Sequence, residues 1–446
     1  MTPSLKTMIK KHNKVLAIYG LGNVGGAIAA SWLKTGAKII GVDISKQLLS
    51  DIKSGKSHSK EPFVSEIFLK SLKNGNCFLT QDGIQASKDS DIKIIVVPVA
   101  LKKNKSDLSN VISVTKTIAK GLKKGDSIIL SPSVPPGTTE KIVLPILEQE
   151  SGLKGEKDFL LIYNPERIFE GRAIQDIEEN YPAIVAGLGK KSLEFANNLL
   201  NIISKKGVIN MSNLATAEAE KLFEGVYRDV NIALANQLAD YCSKIGINFW
   251  DARKAANSQP FSHLHYPGTG VGGLCIPVYP RIVIESSKKV GKSMNILEFS
   301  RKINDGMPEK CVKDSLKLLK NNQKKPNGKK IAILGLGFRG EVTDKRLSPT
   351  YQVVRHFLKN NCQVYVHDPY ILHDKELHSS VKLSNKLNDV VRNADLIFIS
   401  TDHKQYSKLS KSSFKNSKKP LLIFDGRNIL NKTNFDQVQI NTIGID

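Results

Sequence analysis

The stretch from Gly268 to Pro280, GTGVGGLCIPVYP, sets Cys275 among four glycines and two prolines. That composition suits a tight loop and neither a helix nor a strand interior. Glycines at 270, 272 and 273 allow unusual torsions and close approach to a ligand, so the loop can present a thiol to a bound molecule. A free cysteine is more often a packed core residue, and a lone one is a weak signal. Its position between two glycine-rich motifs is what makes it a candidate nucleophile. Three further sites carry groups able to move protons or hold charge. Lys221 sits in a helix-forming stretch, where a desolvated ammonium can be tuned for acid or base work, against the plainer reading of a surface lysine. Glu166 and Glu170 lie four apart in NPERIFEGRA with Arg167 between them, either a functional pair or one solvated helix face. Ser133 falls in a loop beyond a strand-like run.

The first glycine motif is GLGNVG. VLAIY runs into Gly20, Gly22 and Gly25, the helix-like AIAASWLKTG follows, and KIIGVD closes the unit with Asp43. In such a unit Gly20 makes the turn, Gly22 lets a pyrophosphate reach the backbone, and Gly25 permits close packing at a helix N-terminus facing the phosphates. Gly20, Gly22, Asn23, Val24 and Gly25 are therefore expected to line a dinucleotide. Asp43 follows Gly20 by 23 residues (43 − 20) and can accept hydrogen bonds from both ribose hydroxyls. A 2′-phosphate would be repelled there, which favours NAD over NADP. The flanking strands, the helix and the acid make this far more specific than the glycines alone.

The elements that must position these groups alternate. IKIIVVPVA, SIILSPSVPPGTTEKIVLPILEQ and FLLIY continue a βα pattern, placing Ser133 at the strand ends where open parallel sheets bind ligands. From Asn213 to Gly246 apolar residues recur at helical spacing without a proline, interrupted mildly by Gly225, which predicts one long helix carrying Lys221. A helical region around Ser286 to Leu319 leads to the polar linker NNQKKPNG. KKIAILGLGFRG then repeats the opening pattern with Gly335, Gly337 and Gly340, and CQVYVHDP ends in Asp368, 33 residues on (368 − 335). The expected fold is α/β: two Rossmann-like doubly wound domains joined by a long central helix with a helical middle region. The expected divisions are 1–210, 211–322 and 323–446.

A chain of 446 residues exceeds what one core supports. At 40% hydrophobic and 24% charged it reads as soluble and globular. No apolar run is long enough to span a bilayer, and the leader MTPSLKTMIKKHNK lacks an apolar centre, so no membrane association and a cytoplasmic location are expected. Five scattered cysteines without a CxxC pair argue against a disulfide framework or zinc cluster. His263 and His265 lack a third ligand at usual spacing, so no metal is expected. The net charge of +24 is spread along the chain with few aromatics, which fits phosphorylated small molecules better than nucleic acid. The lysine-rich segments around Lys102 and Lys415 read as solvated surface.

The ordered blocks GLGNVG, SVPPGTTE, NPERIFEG, AEKLFEGVYRDVNIALANQLA, PGTGVGGLCIP, INDGMP and GFRGEVTDKRLSP resemble the UDP-glucose/GDP-mannose dehydrogenase family. RDVNIALANQLA and CIPVYP look most like its UDP-N-acetyl-D-mannosamine branch. The resemblance covers nearly the whole chain. It implies oxidation of a UDP-sugar C6 alcohol to the acid with two NAD reduced in turn, through a thiohemiacetal and a thioester on Cys275. It gives Lys221 the oxyanion or the alcohol proton and Glu166 the hydrolytic water, with Glu170 as a second carboxylate. Gly272, Gly273 and Arg346 would contact the nucleotide sugar, Arg346 across the interface of a homodimer or higher homo-oligomer, and the second Rossmann-like domain would hold UDP. The chain also departs from the family. Ser133 stands for a threonine, Gly225 for an asparagine, Tyr279 for an aspartate, Leu274 and Gln259 for histidines, and Phe261 for an arginine. The alternatives are a UDP-glucose 6-dehydrogenase or a catalytically impaired nucleotide-sugar-binding relative.

Overall fold

The computed structural model describes residues 4–56, 61–102 and 105–445, so the first three residues of the leader and the two lysine-flanked positions after Lys102 lie outside the described residues. The chain forms two compact units, 1–223 and 224–446. A single 31-residue helix, Leu214–Lys244, runs across the boundary, as the proline-free periodicity predicts.

In the first unit eight strands form one sheet: β1 (Val15–Tyr19), β2 (Lys38–Val42), β3 (Cys77–Thr80), β4 (Ile92–Ile95), β5 (Ser127–Leu130), β6 (Leu160–Tyr163), β7 (Ala183–Gly187) and β8 (Val208–Asn210). Their order is β8-β7-β6-β5-β4-β1-β2-β3. Strands β1 to β6 are parallel in the order 3-2-1-4-5-6 of dinucleotide-binding sheets, and β7 joins β6 antiparallel. Strands buried on both faces explain their unbroken apolar runs: β4 and β5 are buried throughout. One core face gathers Ile18, Trp32, Ile94 and Ile129, and the other Tyr19, Ile95, Val111 and Leu161. A buried ion pair, Lys93 with Asp126, sits inside this sheet. Burial pushes the lysine down to about 8 against the pull of Asp126, and the same burial pushes Asp126 up.

The second unit repeats the plan with β9 (Lys330–Leu334), β10 (Gln363–His367), β11 (Lys382–Ser384), β12 (Leu396–Ile399), β13 (Leu422–Asp425) and β14 (Gln439–Thr442). The order β11-β10-β9-β12-β13-β14 is again 3-2-1-4-5-6 and wholly parallel. The helical middle region resolves into Tyr279–Lys288 and Asn295–Asn321. Pro308 lies inside the second of these helices, whose face toward the sheet carries Met307, Cys311, Val312 and Leu319.

Candidate active site

In the first unit the glycine turn is built for close backbone packing. Gly20 has φ +96°, and a Cβ there would lie 2.5 Å from the Val96 carbonyl oxygen just beyond β4. A Cβ at Gly25 would land on the Gly20 carbonyl, while one at Gly22 would meet nothing within 4 Å. Gly20 and Gly25 are thus demanded by packing, and Gly22 leaves open the space a pyrophosphate needs at the start of the helix Asn23–Lys34. Asp43, half-buried at the end of β2, accepts the Leu21 N–H at 2.9 Å on one oxygen and the Ser45 N–H at 2.9 Å on the other. Each oxygen keeps a lone pair for a ribose hydroxyl. These residues fit NAD.

The remaining candidates of this unit gather at the same sheet edge. Ser133 lies half-buried in the loop after β5. Glu166 lies just beyond β6, its Oε2 accepting the Ile168 N–H at 2.8 Å. Its Oε1 stands 3.9 Å from the buried ammonium of Lys221. Residues 164–172 form a loop, so the two glutamates are not neighbours on a helix face. Glu170 faces another way, toward the amide of Asn23 at 3.5 Å. Its place is beside the dinucleotide helix.

Two carboxylates that sequence reasoning passed over hold these loops. Glu61 is buried and accepts the N–H groups of Gly171 and Ala173, each at 2.7 Å, pinning the far end of the Glu166–Glu170 loop. Glu218 is buried on the long helix and accepts from the Gly137 N–H, the Thr139 N–H at 2.7 Å and the Thr139 hydroxyl at 2.6 Å. It fastens the loop that starts at Ser133. The only sequence signal for Glu218 is its place on the same helix three residues before Lys221.

In the second unit Cys275 is half-buried, whereas the other four cysteines are buried. Burial pushes the Cys77 and Cys311 thiols up to about 12 and Cys362 to about 11. The loop glycines have a use the sequence does not reveal. A Cβ at Gly272 would lie 2.5 Å from Phe338 Cβ and 2.8 Å from the Leu347 carbonyl oxygen, and one at Gly270 would lie 2.8 Å from Pro349. The loop is packed on the second glycine turn and on the segment 346–349, and the Gly273 N–H donates to the Arg346 carbonyl at 2.9 Å. That last contact ties the candidate thiol loop to Arg346 itself. The Arg346 guanidinium meets Asp344 through Nε at 2.9 Å. Phe261 is 92% exposed and Leu274 half-buried.

The second glycine turn is spent differently from the first. Asp368 is fully buried. It accepts the N–H groups of Leu336 and Gly337 and His403 Nε2 on one oxygen, and those of Tyr370 and Ile371 on the other. Burial works to raise its pKa, but these bonds outweigh it and bring the carboxyl down to about 2. With five donors, this acid has nothing left for a ribose. Among the described residues no group of three His, Cys, Asp or Glu could hold a metal ion, and no helix is long and apolar enough to cross a membrane.

A dinucleotide-type sheet with a carboxylate that keeps lone pairs at the end of β2, and with a buried lysine beside a second carboxylate at its edge, fits an NAD-dependent oxidoreductase. Comparison with known proteins narrows the class. Family models match in three consecutive parts: the NAD binding domain over residues 14–203, the central domain over 215–306 and the UDP binding domain over 332–432. The chain belongs to the UDP-glucose/GDP-mannose dehydrogenase family, NAD-dependent enzymes that oxidise nucleotide sugars. It is 33% identical to a UDP-N-acetyl-D-mannosamine dehydrogenase of Pyrococcus horikoshii over 93% of this chain and 96% of that one. It is 34% identical to one of Campylobacter jejuni over 89% of this chain and 97% of that one. A solved structure of UDP-D-ManNAc dehydrogenase from Pyrococcus horikoshii superposes with a TM-score of 0.89 at 31% identity, covering 96% and 99% of the two chains. The UDP binding domain match lies within the second unit and takes in the occupied Asp368.

Proposed function

We propose that the chain oxidises the C6 alcohol of UDP-N-acetyl-D-mannosamine to the uronic acid, a reading that rests for the sugar on the full-length similarity to the two dehydrogenases of that name. The observation that carries the chemistry is the buried Lys221 ammonium held 3.9 Å from Glu166 at the edge of the nucleotide sheet. NAD, when bound, accepts hydride. Lys221 and Glu166 can pass the alcohol proton as the C6–H bond breaks, and Lys221 then steadies the oxygen's developing charge. The Cys275 thiolate adds to the aldehyde, forming a C–S bond and a thiohemiacetal. Loss of a second hydride converts this to a thioester. Water, deprotonated by Glu166 with Ser133 and Glu170 nearby in the loops, breaks the C–S bond and returns the thiol. The balance is alcohol, two NAD and water giving carboxylate, two NADH and three protons.

Gly20, Gly22, Asn23, Val24, Gly25 and Asp43 hold the cofactor in this reading, and Gly272, Gly273 and Arg346 hold the substrate. The working divisions are the cofactor domain 1–210, the central helical part 211–322 and the UDP domain 323–446. The enzyme acts in the cytoplasm as a homodimer. Exposed Tyr227, Leu234 and Tyr241, seven apart on the long helix, supply an apolar stripe for that contact. Incubation with NAD and a panel of UDP-sugars tests the whole. Two NADH per UDP-N-acetylmannosamine, abolished in Cys275→Ala, are expected. Preference for UDP-glucose would move the substrate to the alternative, and turnover retained by Cys275→Ala would overturn the thiol's role.

A further inference from the structure

Gly225 and Tyr279 stand where the family resemblance expects an asparagine and an aspartate, and they are packed against each other. A Cβ on Gly225 would overlap the Tyr279 ring at Cδ2, with Cγ at 3.1 Å and Cβ at 3.2 Å. Tyr279 is 4% exposed. A glycine inside a helix costs about 1 kcal/mol relative to alanine, so a buried one seated under a ring has a packing reason. The same tyrosine opens the helix Tyr279–Lys288, and its N–H donates to the Cys275 carbonyl at 2.9 Å, beside that of Val278 at 3.1 Å. Pro280 next to it has no N–H to offer. The cysteine is therefore held between two anchors: Gly273, bonded to the Arg346 carbonyl, and Tyr279, keyed to bare helix backbone.

Resting on the reading of Cys275 as the nucleophile, we propose that Tyr279 is a positioning residue for its thiol and that Gly225 is the socket that lets it be one. The two exchanges are one coupled change. A side chain at 225 displaces the ring, the ring carries the head of its helix, and the helix carries the Cys275 carbonyl.

The test is iodoacetamide labelling of the full chain, followed peptide by peptide. The four buried cysteines serve as the internal sign that the fold is intact. Gly225→Ala should speed Cys275 labelling by about tenfold and lower kcat by about as much, the coupling expected of residues in direct contact, with KM for NAD unchanged. Tyr279→Leu should label fast by itself, and adding Gly225→Ala to it should change nothing further. Equal labelling in Gly225→Ala and the parent, or effects of the two changes that multiply independently, would overturn the proposal. Should Cys275→Ala keep its turnover, the nucleophile reading fails, while the labelling rates still decide whether ring and socket are coupled.

Discussion

Asp43 and Asp368 end equivalent strands, each after a glycine turn, and their hydrogen bonds set them apart. Asp43 accepts one backbone N–H on each oxygen and stays half-buried, whereas Asp368 is buried under five donors. Only the first can reach a ribose. Hydrogen bonds to a charged group contribute about 1.5–3 kcal/mol, so Asp43→Ala should weaken NAD binding by about 10- to 100-fold. NADP, no longer repelled, should gain relative to NAD. Calorimetric titration of both dinucleotides checks this, and Asp368→Asn should leave the NAD value where it was. An Asp43→Ala protein that binds NAD like the parent would remove the assignment of the cofactor to this cleft.

At the scale of the element, what was legible in the sequence followed periodicity, and what was not depended on partners distant in the chain. The strand, glycine turn and helix around Gly20, the long helix carrying Lys221 and the second turn at Gly335 all announce themselves through local pattern. The nearness of Glu166 and Lys221 does not, because 55 residues (221 − 166) separate them. The placing of Glu170 is hidden for a related reason: four-residue spacing puts two glutamates on a shared face only on a helix, and Pro165 and Gly171 bracket a loop instead. Glu218 is the clearest omission. Its carboxylate, raised in pKa mainly by burial, is opposed in that by the N–H groups of Thr139 and Gly137 it holds. Glu218→Gln keeps the shape but turns an amide donor toward a backbone donor, costing about 1–3 kcal/mol. Hydrogen exchange should quicken at residues 137–139 with β5 still protected, and unchanged exchange there would deny the glutamate its role.

The second glycine turn makes an element-scale prediction of its own. The Asp368 carboxyl is depressed to about 2 in the folded chain, below its ordinary 3.8, with His403, Leu336 and Tyr370 supplying the bonds. A depressed carboxylate stabilises the fold fully above the unfolded value, and that contribution is lost as pH falls through the folded one. The window is therefore from about pH 4 down to about pH 2, and its size is about 2 kcal/mol by the linkage of pKa to stability. Glu341, Tyr370, Tyr406 and His367 surround the pair, and His403 Nδ1 already accepts the Glu341 N–H, so the imidazole keeps its proton toward Asp368. Urea unfolding of the parent and of Asp368→Asn should differ most near pH 5 and converge toward pH 2. A constant difference across that range would show that the carboxylate's charge is not what the turn needs.

For the whole molecule the deciding quantities are the charge of +24 and the apolar stripe of Tyr227, Leu234 and Tyr241. A seven-residue repeat drifts by only about 20° per step on a straight helix, so the three side chains share one face and can meet the same face of a second copy. Two such chains repel each other over a distance set by salt, about 30 Å at 0.01 M and about 8 Å at physiological strength. Burying an aromatic or leucine side chain contributes about 1.5–3 kcal/mol, so three per copy can outweigh screened repulsion and lose to unscreened repulsion. Sedimentation should accordingly find a dimer at about 0.15 M salt and a growing monomer fraction near 0.01 M. Replacing all three with serine should leave a monomer at either strength with its NAD affinity intact, since Asp43 and the first glycine turn lie elsewhere in the chain. A dimer that survives the triple replacement, or one that tightens as salt is withdrawn, would place the contact on another surface.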